Sequence, residues 1–171
     1  MATTISTDFK KTGGIMATSF DSTLQTSIGW VALRLQGEHV CELALLPEKP
    51  TVSDSDNPLA DQVMQQVGLY LDTGTWPQNL PINARGTEFQ ERVWAALMGI
   101  PAGHTMTYGE LAKQLGTSAR AIGGACRANP VLLLIPCHRV VAAQGKGGFA
   151  GHRSGRWVDI KRRLLQLEAD G

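Results

Sequence analysis

Alternating apolar and polar positions in the first third of the chain predict a β-hairpin. From Val31 onward, every second residue of the segment 30–36 is apolar, and the alternation resumes over residues 39–46 after a Gly-Glu pair. A period of two is typical of strands with one buried face, and a short polar break containing glycine is typical of a hairpin turn. We expect these two segments to pair.

A helix-start signal and a helical repeat follow a loop that is rich in proline, serine and aspartate. Asn57 fits an N-cap and Pro58 the first helical position, while Gly74 fits the helix end. The apolar residues that share one helical face are Leu59, Val63, Val67 and Leu71. Residues 77–86, with two prolines, two asparagines and a glycine, are the best candidate linker.

The second half of the chain reads as mostly helical. Residues 87–90 fit a capping box, and a helical face continues from it through Phe89, Val93, Trp94 and Leu97. Residues 108–115 and 119–128 predict two short helices joined by a tight turn, the pattern of a helix-turn-helix, although an ordinary helical hairpin has the same pattern. The small side chains of the second helix, including Gly123 and Gly124, suit close approach to a DNA groove or tight packing against the core.

These elements predict an α+β protein in two parts. Residues 1–12 are expected to form a flexible tail, and residues 13–84 a small domain with an antiparallel sheet and a helix. Residues 85–171 are expected to form a mostly helical, winged-helix-like domain with a helix-turn-helix.

Composition narrows the class of protein. The 171 residues are 43% apolar and 18% charged, which favours a globular protein with a real core. No apolar run approaches the roughly 20 residues of a membrane span, and the N-terminus lacks a secretory pattern. The three cysteines, without CxxC spacing, argue against a disulfide scaffold or a structural zinc site. We therefore expect a cytoplasmic protein with no membrane partner and no metal.

Charge is divided between the two halves. Residues 1–84 contain four Lys/Arg and nine Asp/Glu, whereas residues 85–171 contain twelve and six. The net charges of −5 and +6 favour a basic domain that binds a polyanion such as nucleic acid, although chance segregation of solvated charge gives the same numbers.

The segment that most strongly indicates chemistry is the Cys-His-Arg triplet at residues 137–139, which follows an apolar run. A buried thiol is usually inert, but His138 could accept its proton and Arg139, if turned inward, would add positive charge. In an extended segment the side chains of Cys137 and His138 would point apart, so their coupling would need a water or a bend.

The segment 135–140, Ile-Pro-Cys-His-Arg-Val, resembles the active-site motif of the O6-alkylguanine-DNA alkyltransferases, also called methylated-DNA–protein-cysteine methyltransferases. The resemblance is strong over residues 86–168 and only general before them. Further segments that resemble the family in the same order are 86–90, 93–94, 100–101, Gly103, 108–112, 120–124, 129–130, 147–149, 161–165 and Glu168.

This resemblance implies a DNA-repair enzyme that transfers an alkyl group irreversibly from O6-alkylguanine, with O4-alkylthymine a further candidate, to its own Cys137. The reaction would be a single, self-inactivating turnover on a base flipped out of the duplex. No cofactor is implied. The expected partner is double-stranded DNA, contacted in the minor groove by a monomer; cooperative assembly along DNA is left open.

The resemblance also assigns catalytic roles. Cys137 would be the nucleophile, His138 would take its proton through a water, and Glu168 would polarise the histidine. Tyr108 would donate a hydrogen bond to a ring nitrogen of the guanine, and Asn129 would tie its turn to the cysteine loop.

Binding residues are implied in the same way. Arg120 would enter the base stack and fill the vacated space. The residues expected at the substrate are Tyr108, Val140, Phe149, Ala150 and Gly151. The residues expected at the DNA are Gly109, Ala119, Arg120, Ala121, Gly124 and Arg127.

Some positions depart from the family pattern. The turn over residues 116–120 is about two residues short, which could offset Arg120, and Phe149 replaces a frequent tyrosine and lacks its hydroxyl. Residues 152–160 resemble an insertion ahead of the last helix. The zinc ligands of some relatives have no counterpart here.

Three other functions are compatible with parts of the sequence. Related alkyltransferase-like proteins bind the lesion without repairing it, but they lack the cysteine that this chain has. A cysteine hydrolase would need an oxyanion hole, for which the sequence has no signature. A redox-regulated transcription factor would need a more exposed cysteine than this apolar segment predicts.

Overall fold

The computed structural model describes residues 19–53, 56–145 and 147–171, so the predicted tail over residues 1–12 lies outside it. Within these ranges the chain is α+β, as predicted. In chain order the elements are β1 Ser22–Thr26, β2 Gly29–Gln36, β3 His39–Leu46, α1 Pro58–Thr73, α2 Glu88–Met98, β4 Met106–Thr107, α3 Tyr108–Leu115, α4 Ala119–Arg127, a 3₁₀ helix Cys137–Arg139, β5 Val140–Val141 and α5 Arg156–Asp170. Every helix in the described ranges is too short or too polar to span a bilayer.

The predicted hairpin is present as β2 and β3, in an antiparallel sheet of order β1-β2-β3. The strand β1 was not predicted, because its segment Ser-Thr-Leu-Gln-Thr has a single apolar residue and therefore no alternation of apolar and polar positions. The predicted face is buried at Val31 and Leu33, but a register shift between Arg34 and Leu35 ends the regular alternation.

The helix α1 begins and ends where its capping residues predict. The Asn57 side chain accepts a hydrogen bond from the backbone N–H of Leu59, Pro58 is the first helical residue, and Gly74 ends the helix in the left-handed conformation. The buried face of α1, which includes Val63 and Val67, packs against β1 and β2.

The second half begins with the predicted capping box at Thr87 and Gln90, which starts α2. The predicted helix-turn-helix is formed by α3 and α4, which contact each other across a turn where Gly116 adopts the left-handed conformation. The Ser118 hydroxyl caps α4 by accepting from the N–H of Ala121.

The two halves of the chain share one hydrophobic core. On the sheet side, Leu43 donates to the Pro130 carbonyl and accepts from Leu132, at 3.0 and 2.9 Å. On the helix side, α1 contacts α5. The segment that carries Cys137 is thereby anchored against the N-terminal sheet.

The condition under which Cys137 and His138 would point apart, an extended segment, is not met: residues 132–134 form turns, and Cys137 begins a 3₁₀ helix. One expectation about local structure was wrong. The insertion over residues 152–160 does not lie wholly ahead of the last helix, because α5 already begins at Arg156. The start of α5 was not predicted, because the residues just before it are Gly, His, Arg and Ser and show no helical periodicity.

Candidate active site

The Cys137 side chain lies inside the protein, at the first residue of the 3₁₀ helix, and the residue is only 4% exposed. Burial raises the pKa of the Cys137 thiol, because a thiolate is poorly solvated there. Two neighbours oppose this rise: the Asn129 amide donates to Sγ at 3.3 Å, and the Lys161 ammonium contributes positive charge. The hydrogen bond from Asn129 and the charge of Lys161 therefore offset part of the cost of forming a thiolate in this buried position.

Asn129 connects the end of α4 to the cysteine segment from both ends of its amide group. Its Nδ2 also donates to the Ile135 carbonyl at 2.9 Å, and its Oδ1 accepts from the Val131 N–H at 3.0 Å. These bonds fix the conformation of the turn before Cys137. The family resemblance predicts the same link between Asn129 and the cysteine loop.

His138 is fully buried, and its two ring nitrogens differ in their surroundings. Nε2 lies 2.7 Å from Oε1 of Glu168, whereas Nδ1 is buried without a hydrogen-bond partner in the described part of the chain. Burial lowers the pKa of His138, although Glu168 acts to raise it. A neutral ring with its proton on Nε2 satisfies Glu168 and leaves Nδ1 able to accept a proton.

Glu168 is the centre of a buried hydrogen-bond cluster. Its Oε1 also accepts from the Tyr70 hydroxyl at 2.6 Å, and the Arg139 guanidinium donates to both oxygens at 2.9 Å. Oε2 accepts from the N–H of Gly103 at 3.3 Å, at a turn with φ of 79°. Burial alone would raise the pKa of Glu168, but hydrogen bonds from His138 and Arg139 outweigh it and hold that pKa well below its usual range.

Arg139 turns inward, but its charge is not directed at the sulfur. Besides Glu168, its guanidinium binds the Ile100 carbonyl and lies 3.9 Å from the ring centroid of Trp76. The cation whose charge acts on the Cys137 thiol is Lys161, which the sequence pattern did not single out chemically. Its position on α5 could have indicated it, because Lys161, Leu164 and Glu168 are spaced to share one helical face.

Tyr70 is a second residue of the buried site that the sequence did not reveal. It is fully buried in α1, three residues after Val67 on the apolar face, where a tyrosine reads as an ordinary core residue. The signal that could have marked it is the hydroxyl, since a fully buried tyrosine usually needs a hydrogen-bond partner.

The predicted substrate residues surround the cysteine segment. Tyr108, at the start of α3, is half-buried, and burial raises its pKa to about 12. Its hydroxyl makes a long hydrogen bond of 3.5 Å to the Gly148 carbonyl. Lys161 donates to the same carbonyl and to that of Val140. Tyr108 and Val140 are thus joined to one network.

Phe149, Ala150 and Gly151 form a tight turn. The N–H and carbonyl of Phe149 pair with those of His152 at 2.8 and 2.9 Å, and Ala150 and Gly151 both have positive φ. The Phe149 ring is buried, 6.2 Å from that of Trp157. The turn therefore packs its phenyl ring inward, and the carbonyl of the preceding Gly148 accepts from Tyr108 and Lys161.

The predicted DNA-contacting residues lie at the start of α3 and on α4, and are together called the α4 surface. All of them are exposed except Ala121, which is half-buried. Arg120 is exposed at the second residue of α4 and makes no hydrogen bond or ion pair with the described residues. A methyl group added at Gly123 or Gly124 would meet no atom within 4 Å, so core packing does not explain these glycines. The members of this α4 surface are Gly109, Ala119, Arg120, Ala121, Gly124 and Arg127.

Among residues 19–53, 56–145 and 147–171, no group of three or more His, Cys, Asp or Glu side chains is placed to hold a metal ion. The cysteines in these ranges, Cys41, Cys126 and Cys137, are free thiols.

Comparison with known proteins places this site in context. Residues 88–170 match the family described as "6-O-methylguanine DNA methyltransferase, DNA binding domain". The chain is 36% identical, over 152 residues, to the methylated-DNA–protein-cysteine methyltransferase of Mycobacterium bovis, covering 85% of this chain and 90% of that protein.

Solved structures agree. The crystal structure of the O6-methylguanine methyltransferase of Mycobacterium tuberculosis superposes with a TM-score of 0.73 at 34% identity, covering 88% of this chain and 92% of that one. A crystal structure of the M. tuberculosis protein in complex with DNA gives a TM-score of 0.71 at 34% identity, covering 86% of this chain and 91% of that one.

Proposed function

Because the chain belongs to the family of methylated-DNA–protein-cysteine methyltransferases, a family of DNA-repair proteins, we propose that its own Cys137 is the alkyl acceptor. The observation that carries this proposal is the arrangement around that thiol. A buried sulfur lies beside an amide donor and an ammonium group, and the next residue is a histidine with one bare nitrogen.

The proposed reaction is a displacement at the alkyl carbon. Sγ of Cys137 attacks the carbon bound to O6 of an alkylated guanine, an S–C bond forms, and the C–O6 bond breaks with its electron pair moving to the guanine. The thiol proton passes through a water to Nδ1 of His138, and Glu168 stabilises the charge that develops on the imidazole. The reaction uses no cofactor, and the thioether product leaves Cys137 alkylated, so the protein is inactive after one turnover.

Tyr108 assists the leaving group. As the C–O6 bond breaks, negative charge spreads over the purine ring, and a hydroxyl that donates to a ring nitrogen stabilises it. Because burial keeps the pKa of Tyr108 high, the hydroxyl is protonated and able to donate at neutral pH. The Val140 carbonyl and the backbone of Ala150 and Gly151 hold the flipped base, with Phe149 packed behind them.

The α4 surface is proposed to bind the duplex through its minor groove, as a monomer. The open space over Gly124 and the small side chains of Ala119 and Ala121 let the helix backbone approach the DNA closely. The exposed Arg120 enters the stack when the damaged base is flipped out, which offsets part of the unstacking free energy of a few kcal/mol. A cytoplasmic location stays a prediction from the sparse cysteines.

The proposal is tested by incubating the chain with duplex DNA that carries radiolabelled O6-methylguanine. We expect the label to move to the protein and to saturate at one methyl group per chain, and peptide mass mapping to place it on Cys137. Cys137→Ala should abolish transfer and keep DNA binding, whereas the matched control Cys41→Ala should transfer normally, because Cys41 lies on β3.

Three results would contradict this function. Repeated turnover by one chain would point to hydrolysis, and loss of the lesion with Cys137 unmodified would point to another acceptor. Normal binding of the lesion without any transfer would identify a binding protein.

A further inference from the structure

The N-terminal half of the chain reaches into the buried cluster around Glu168. Tyr70, in α1, has no exposed surface, and its hydroxyl lies 2.6 Å from Oε1 of Glu168 and 3.3 Å from Nε2 of His138. These two residues come from α5 and the 3₁₀ helix, so three separate segments meet at one hydroxyl group.

The direction of the two contacts follows from their lengths. The shorter one, to an ionised carboxylate that can only accept, requires Tyr70 to donate its proton to Glu168. The hydroxyl oxygen then faces Nε2 of His138 with lone pairs alone. Both groups facing Nε2, the carboxylate and the hydroxyl oxygen, are therefore acceptors, and they favour the ring form that carries its proton on Nε2.

Trp76 fixes the orientation of this arrangement. Its ring lies edge-on to that of Tyr70, at 5.1 Å and 85°, and the Arg139 guanidinium lies 3.9 Å from its centroid. Arg139 in turn holds both oxygens of Glu168. Residues before the candidate linker thus brace the carboxylate from two sides.

We propose that Tyr70 is a positioning residue for alkyl transfer: its hydroxyl fixes Glu168 and keeps the proton of His138 on Nε2, which leaves Nδ1 free to accept the proton of Cys137. The inference rests on the proposed function and extends it, since it makes the N-terminal half part of the catalytic apparatus.

The expected effect of removing the hydroxyl has a definite sign. The charged and titratable groups that face His138 are Glu168 and Lys161 from α5, Cys137 and Arg139 from the 3₁₀ helix, and Tyr70 from α1. Without the Tyr70 bond, the carboxylate is stabilised less and attracts a proton on His138 more strongly. The pKa of His138 then rises, and the histidine loses its ability to accept a proton at a higher pH than before.

The test is the single-turnover rate of methyl transfer as a function of pH for Tyr70→Phe, which keeps the ring and its packing against Trp76. We expect a rate about tenfold lower on the plateau, the loss of one hydrogen bond to a charged group, and an acidic limb moved to higher pH. The matched control is Thr73→Val, which removes a hydroxyl on the same helix that bonds only near itself, to Leu69 and Thr75. Its pH profile should be that of the wild type.

A second measurement tests the inference on the unmodified protein. Nitrogen-15 chemical shifts of the four histidines, with His138 assigned by its loss in His138→Gln, should show a protonated Nε2 and a bare Nδ1 in the folded wild type. The opposite ring form would overturn the proposal even if Tyr70→Phe failed to fold.

The outcomes separate the two proposals. A wild type that transfers methyl groups, with Tyr70→Phe equal to it in rate and pH profile, overturns the role of Tyr70 and leaves the proposed function intact. A wild type that transfers nothing overturns both.

Discussion

The cluster around Glu168 and the α4 surface are opposite solutions to the placement of polar groups. In the cluster, Glu168, His138 and Arg139 are almost fully buried, and the carboxylate accepts bonds from four residues. On the α4 surface, Arg120 is exposed and unpaired within the described chain, and the space beside Gly124 is open.

The difference teaches which part of the site is complete before DNA arrives. Buried charges are stable only when paired and hydrogen-bonded, so the cluster has to be assembled by folding itself. An exposed arginine next to glycine forms no interaction that folding requires, and its partner is expected from outside. Under the proposed function, the catalytic groups are preorganised by folding, whereas the DNA-binding groups pair only when DNA is bound.

The largest effect is expected from breaking the buried cluster. Glu168→Gln leaves the Arg139 charge buried without its counter-ion, so we expect a loss of about 3–5 kcal/mol in the free energy of unfolding. The transfer rate should fall by about a hundredfold, because His138 loses the group that stabilises its charged form. Urea unfolding and single-turnover kinetics measure the two effects.

The control for that change is a surface ion pair on the same helix. Asp159 and Arg162 are 3.5 Å apart with side chains that are 70% and 63% exposed. Asp159→Asn should change stability by less than about 0.5 kcal/mol. Equal losses in the two variants would mean that burial does not distinguish the pairs.

Arg120→Ala tests the role of the exposed α4 surface. We expect transfer from duplex DNA to fall about tenfold, with transfer from free O6-methylguanine unchanged, because only a flipped base leaves a space to fill. Arg162→Ala, which removes another exposed charge, on α5, serves as the control. Equal losses on duplex and free base would assign Arg120 to the chemistry instead.

The pH dependence of the unfolding free energy also distinguishes the buried cluster from the α4 surface. The pKa of Glu168 is lower in the folded protein than its ordinary value of about 4.3, so its carboxylate contributes stability above that value and the contribution is lost as pH falls toward the folded pKa. In urea unfolding at neutral and acidic pH, the wild type and Arg120→Ala should lose stability in parallel. Glu168→Gln should lose less; a parallel curve for it would refute this account.

The smallest effect is expected at Gly124. Alanine is a better helix former by up to about 1 kcal/mol and meets nothing within 4 Å there, so Gly124→Ala should raise the unfolding free energy. Its affinity for duplex DNA, measured by fluorescence anisotropy, should fall severalfold. A gain in stability with undiminished affinity would separate the glycine from DNA approach.

Local signals predicted most of the helices. Asn57, Thr87 and Ser118 start helices because each satisfies backbone N–H groups within its own first turn. The bounds of α3 are those predicted, and α4 ends one residue earlier, at Arg127. By contrast, β1 was missed because a strand with a single apolar residue depends on its neighbour for pairing.

The sequence predicted most residues of the candidate site, but not which of them contact one another. The Cys-His-Arg triplet indicated His138, whereas the family resemblance implied Asn129 and Glu168. In the structure Asn129 binds the Cys137 sulfur, and Glu168 binds His138. Neither signal indicated that Lys161, and not Arg139, is the cation whose charge acts on the thiol.

Local sequence was enough to predict features whose interactions close within a few residues: the caps, the hairpin turn, the helix-turn-helix and the Cys-His-Arg triplet as a candidate for chemistry. Which buried groups meet depends on the packing of distant segments. Tyr70 and Glu168 are separated by 98 positions and lie 2.6 Å apart, and no local pattern encodes such a contact. It exists because buried charges and hydroxyls must find partners, and packing α1 against α5 is what supplies them.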